Sequence, residues 1–238
     1  MNPLQRELQR LYGPAIDTRA APELEQRGRV GAPARVRALV LEVARPADGR
    51  LLAAVGVGVQ NDLALPAPAI AVNGSDGCQL WFSLLEPVPA REAGAFLEAL
   101  RRRYLGAIAL DRVALRPAPD ASAPPSWPEP PVPAAQSAGG RWSAFVAPDL
   151  AAMFADEPWL DVQPNPEGQA QLLAPLQSIA PDAFALALQR LGTAGAVGAA
   201  LSAPGPAPLP APMSAPAPTP APPAQAAAPA SLDPRRFL

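Results

Sequence analysis

The chain has no histidine and no lysine; its 19 basic residues are all arginine, and Cys78 is the one cysteine among 238 residues. Without histidine there is no Ser-His or Cys-His nucleophile pair and no imidazole acid or base. Without lysine there is no Schiff base and no phosphate-cradling lysine of a P-loop. One cysteine cannot close an internal disulfide, and without histidine it cannot build a structural zinc site. What survives is carboxylate chemistry, a divalent cation on oxygen ligands, or no chemistry at all. Long apolar runs are missing too. Prolines, glycines and charges interrupt every candidate of 18 residues, so no membrane span is expected. The start, Met1 to Arg6, lacks the charged-then-apolar layout of a signal peptide. The expectation is a cytoplasmic bacterial protein with no cofactor.

Proline, at 35 residues, is what the chain has in excess. Residues 117–140 hold eight prolines and end in Gly139-Gly140, which reads as a linker. Within 203–230, 22 of 28 residues are Ala or Pro, with no charge and no aromatic. Such a segment has too little apolar surface to offset its ordering entropy, so 194–230 is expected to be a disordered tail. Two foldable pieces remain, 1–116 and 141–193. The net charge of −2 hides a split: 15 Arg against 12 acids up to residue 116, and 4 Arg against 9 acids after it. Neither half has the strong basic footprint of an autonomous duplex binder.

The first piece alternates legibly. Asn2-Pro3 is a cap and first-turn proline, and Leu4, Leu8 and Leu11 share one helical face before Gly13-Pro14. Val36–Val43 alternates as a strand. Residues 47–63 carry a helical stripe of Leu52, Val55, Val59 and Leu63, weakened by Gly56 and Gly58. Ala69–Asn73 and Cys78–Leu84 are strands around the turn Gly74-Ser75-Asp76-Gly77. A helix bearing Ala93, Phe96, Leu97, Leu100 and Tyr104 follows, then a short strand over Arg112–Arg116. The predicted class is α+β: a ferredoxin-like or RRM-like βαββαβ core with helices on one sheet face and the other face open.

The second piece reads as a small helical module. Pro148, Pro166 and Pro181 sit as first-turn prolines, with apolar residues at Leu150, Met153 and Phe154, at Leu172, Leu173 and Leu176, and at Phe184, Leu188 and Leu191, closing at Gly192. About 50 residues is too few for a secure core of their own. Trp142, Phe145, Phe154 and Trp159 are therefore expected to pack on the open sheet face.

Parity on the third strand puts Cys78, Leu80, Phe82 and Leu84 on the helix-covered face, and Gln79, Trp81 and Ser83 on the other with Glu42. The run Gly74-Ser75-Asp76-Gly77-Cys78-Gln79-Leu80-Trp81-Phe82, followed by Glu86-Pro87-Val88-Pro89-Ala90 and an Arg-bearing helix, resembles the archaeo-eukaryotic primase–polymerase superfamily, in its bacterial and mobile-element branch. The resemblance covers at most residues 36–116 and implies an RNA-recognition-motif-like core. It places Gln79 where the family has a phosphate-binding histidine, and Val40 and Glu42 where it has an Asp-x-Asp metal pair. A two-metal site needs several converging carboxylates, so the resemblance implies a degenerate active site, with Glu42 as the one candidate ligand.

Three functions are carried forward. The first is a non-catalytic primase-like module associated with nucleic acid or with replication of a mobile element, using Gln79, Trp81, Arg101, Arg102 and Arg103 on single-stranded nucleic acid. The second is a protein-interaction or scaffold module with no nucleic-acid binding; here Trp81 anchors the C-terminal helices and the arginine triplet complements a helix dipole. The third is a metal-dependent nucleotidyltransferase. At the end of the chain, Arg235, Arg236, Phe237 and Leu238 within the motif 231–238 form a candidate recognition peptide for a protein partner. Its alternative is a truncated helix.

Overall fold

The computed structural model describes residues 1–13, 35–45, 49–119, 132–136 and 139–201. The tail and terminal-peptide expectations on 203–238, and most of the 117–140 linker, lie outside the described residues. Residues Met1–Ser202 make one compact unit.

Helix α1 (Pro3–Tyr12) starts where the sequence says. The Asn2 side chain accepts the Gln5 N–H at 2.7 Å, and Gln5 Oε1 accepts the Asn2 N–H at 3.0 Å, a reciprocal capping box. Then come β1 (Arg35–Ala44), α2 (Gly49–Leu63), β2 (Ala69–Val72), β3 (Gly77–Pro89), α3 (Ala90–Tyr104) and β4 (Val113–Arg116). The chain continues through β5 (Ala144–Val146), α4 (Pro166–Leu173) and α5 (Pro181–Leu201). The class is α+β. One five-stranded sheet runs in the order β4-β1-β3-β2-β5, every neighbouring pair antiparallel.

Strand alternation assigns the two faces. Leu39, Leu41, Val43, Cys78, Leu80, Phe82 and Leu84 join the larger core, which α2, α3 and α5 cover. Phe96 of α3 stands edge-on to Phe82 and tilts against Phe184 of α5, with centroids 5.9 and 5.0 Å away. Two glycine positions carry this packing and the β2–β3 turn. At Gly58 a Cβ would come within 2.7 Å of the Tyr104 ring, so the missing side chain lets α2 approach α3. Gly74 turns the chain at φ +83°, in the left-handed region that glycine tolerates.

Several expectations need correction. The face expected to receive the aromatic residues of 141–193 is covered by α1 as well as α4, which build a second core with Val40, Ala69, Ala71, Trp81 and Phe145; Phe154 packs instead against the larger core. The 141–193 segment is not purely helical, since β5 pairs with β2 and completes the sheet. Pro148 opens no α-helix; a turn and a short 3-10 segment (Ala151–Phe154) follow it, leaving Leu150 and Met153 exposed. Helix α5 does not close at Gly192 but runs through Gly192, Gly195 and Gly198 to Leu201, each glycine costing about 1 kcal/mol relative to alanine. Strand β3 passes Leu84 to Pro89, because β1 pairs with it again beyond a register shift, Val36 opposite Val88 and Arg35 opposite Pro89; Ile179 adds a bridge at Leu84, its N–H donating to Ser83 O at 2.7 Å and its carbonyl accepting from Leu85 at 2.9 Å.

Candidate functional site

The residues singled out on β1 and β3 do meet. Glu42 lies opposite Gln79 in the register, and Val40 opposite Trp81. Glu42 Oε2 accepts from Gln79 Nε2 and from Arg116 Nη1, both at 2.7 Å, while Oε1 accepts from Asn73 Nδ2 at 3.0 Å. Gln79 is oriented from its other end, where its Oε1 accepts the Trp81 indole N–H at 2.8 Å. A continuous chain of donors therefore runs from the buried indole to the half-buried carboxylate. Sequence reasoning found Glu42, Gln79 and Trp81 but missed Asn73 and Arg116; strand parity on β2 and β4 was the signal that could have found them.

Asn73 ties this cluster to the β2–β3 turn. Its Oδ1 accepts the backbone N–H groups of Ser75, Asp76 and Gly77 at 2.9–3.0 Å, which closes the loop without help from a ligand. Its Nδ2 is shared between Glu42 and Asp76. The β2–β3 turn is thus held by its own asparagine.

Trp81 is 3% exposed. Tyr12 of α1 meets its ring edge-on at 5.2 Å and Phe145 of β5 does so at 5.8 Å, so no face of the indole is free for a base. Gln79 and Ser83 are buried beside it, and the Ser83 hydroxyl donates to the Leu11 carbonyl at 2.6 Å. The base-stacking role expected of Trp81 and the phosphate contact expected of Gln79 have no accessible surface here. Burial pushes the Tyr12 phenol well above its ordinary value.

The divalent cations that the family resemblance implies need several carboxylates converging on one point. Val40 supplies no ligand and sits in the second core, and both Glu42 oxygens already accept hydrogen bonds. Among the described residues no group of three or more His, Cys, Asp or Glu side chains is placed to hold a metal ion. The donor set does not fit a two-metal centre. Cys78 points into the larger core, where burial, with the Glu42 charge adding to it, raises its thiol to about 11.

The arginine triplet is engaged. Arg101 and Arg102 both pair with Glu98, at 2.7 and 2.8 Å, and Arg103 pairs with Asp62 of α2 at 2.9 Å. Hydrogen bonding from Arg101 holds the Glu98 carboxyl down to about 2. Only Arg102 of the three is well exposed, at 73% of its side chain. The triplet ties α3 to itself and to α2.

A second polar cluster, not singled out from sequence, gathers four segments beyond the same turn. The Arg141 guanidinium carbon sits 3.7 Å from the Trp159 ring centroid, and that of Arg45, just past β1, lies 5.7 Å from the same ring. The Gly74 N–H donates to Pro158 O at 3.0 Å and the Gln136 N–H to Arg141 O at 2.8 Å. No described helix is long and apolar enough to cross a membrane.

No family model matches the chain, and no curated protein or solved structure matches it either.

Proposed function

We propose that the folded body is a non-catalytic protein-interaction module built on a ferredoxin-like core. The closure of the second sheet face carries this reading: a surface that would receive nucleotides in an RNA-recognition-motif-like protein is filled here by Leu4, Leu11, Tyr12, Phe145 and Leu173 around Trp81. The strand order β4-β1-β3-β2 with antiparallel neighbours supports the ferredoxin-like class, with β5 as an addition at the β2 edge. Kinship with the primase–polymerase superfamily is supported by the contact of Glu42 with Gln79 at the sheet end where the resemblance puts metal and phosphate ligands. In this reading the same positions have become a structural hydrogen-bond network.

The test is a polarisation titration of labelled single-stranded DNA against the full chain at two salt concentrations. The reading expects no binding at low salt and no nucleotide incorporation with Mg²⁺ or Mn²⁺. Salt-sensitive binding, or incorporation abolished by Glu42→Ala, overturns it in favour of the nucleic-acid module or the nucleotidyltransferase.

A further inference from the structure

We infer that Arg141 and Arg45, gathered on Trp159, form a receptor for a single phosphate monoester presented by a protein partner. The inference rests on the interaction-module reading and names the group such a partner brings. Neither guanidinium forms an ion pair with a described carboxylate, although Asp156, Glu157 and Asp161 flank Trp159 in sequence. Arg45 spends one N–H on the Asp156 carbonyl at 3.4 Å. The Arg141 guanidinium makes no hydrogen bond to another described residue, and only its stacking on the indole fixes it. A guanidinium seated on an aromatic ring while its N–H donors stay unspent keeps its fork available for phosphate oxygens.

The scaffold is rigid. Trp142 pairs with Leu160 in both directions, N–H to O at 2.8 Å and back at 3.0 Å, an isolated bridge that ties the segment bearing Arg141 to the one bearing Trp159. The backbone N–H of Arg45 donates to Asp76 O, which fastens the second arginine to the β2–β3 turn. Arg45 is exposed, while Arg141 and Trp159 are half-buried, so the cluster opens to solvent.

Charge selects the ligand. Two guanidiniums match the roughly −1.5 to −2 carried by a phosphate monoester. Asp156, Glu157 and Asp161 flank Trp159 in sequence, and their charges count more heavily against a polyanion than against a single localised oxyanion. Recognition of phosphorylated motifs by clustered arginines is an established mode of peptide binding.

The experiment is calorimetry of the full chain with a phosphoserine peptide, its unphosphorylated counterpart, inorganic phosphate and a thymidine oligonucleotide. The expected result is binding of the phosphopeptide and phosphate, none of the unphosphorylated peptide, and loss of at least about tenfold in affinity in Arg141→Ala and in Arg141→Lys, since lysine keeps the charge but not the fork. Arg45→Ala should weaken binding as well. Circular dichroism confirms that each variant folds. No phosphopeptide binding, or binding that none of the substitutions weakens, overturns the site. Oligonucleotide binding tighter than that of the phosphopeptide and lost in Arg141→Ala overturns it too, and also removes the interaction-module reading; failure of the phosphopeptide alone leaves that reading standing.

Discussion

At the scale of single residues, Glu42 is the charge on which the sheet end depends. Removing it leaves the buried Gln79 amide and the Arg116 guanidinium without that acceptor, and the Asn73 amide with Asp76 alone. An unsatisfied buried donor costs about 1–3 kcal/mol. Glu42→Ala should therefore lower the urea unfolding midpoint by a comparable free energy; an unchanged midpoint would show that water replaces the carboxylate freely. Cys78 gives a pH signature. Its thiol ionises near 9 in an open chain and near 11 in the fold, so the unfolded chain loses the proton first as pH rises. The stability it contributes is intact below pH 9 and is lost on going up through about 11. The midpoint at pH 10.5 should fall below that at pH 8, and Cys78→Ala should reduce the drop. The remaining slope includes Tyr12 and Tyr104, whose phenols shift the same way. Equal slopes in both proteins would place the thiol in contact with solvent.

At the scale of elements, alternation was strong enough to read β1 and β3 to within a few residues, because each buries one face in the larger core. It also put Glu42, Gln79 and Trp81 correctly on the other face. The short 141–193 segment pointed to itself as a cover for that face, and Phe145 and α4 do lie there, but nothing assigned α1 to it. Leu4, Leu8 and Leu11 give α1 an apolar stripe, but a stripe does not name its partner. Strand β5, three residues long, is too short for a periodic signal and exists because β2 offers it an edge. Leu150 and Met153 mimic a helical stripe, yet the proline-started turn ends after one 3-10 segment and leaves them in solvent. Gly56 and Gly58 looked like weaknesses in α2. Gly58 is instead a contact surface for Tyr104. Gly58→Ala should then cost about 1–3 kcal/mol through overpacking, despite alanine's better helix propensity. A melting temperature raised by the substitution would mean that the Tyr104 ring moves aside without penalty.

At the scale of the whole molecule, residues 141–201 contribute to both faces of the sheet: α4 and Phe145 close the side of Trp81, while α5 packs on α3 beneath the other. A chain cut after residue 116 loses a strand edge and part of each cover. It should melt lower than the full chain or aggregate, and equal stability would contradict the packing. The arginine-on-tryptophan cluster lay outside what sequence could show, since Arg45, Arg141 and Trp159 are brought together only by tertiary contacts, among them the Trp142–Leu160 bridge.

The account stands on Trp81 being interior, and its fluorescence tests this most directly. In a protein with Trp127, Trp142 and Trp159 changed to Phe, and its fold verified by circular dichroism, the remaining indole reports on that face alone. Iodide quenching of its emission is the measurement. The account predicts blue-shifted emission that iodide barely quenches until the protein is unfolded. Red-shifted emission, quenched in the native state as it is in urea, would show an open face and contradict the account.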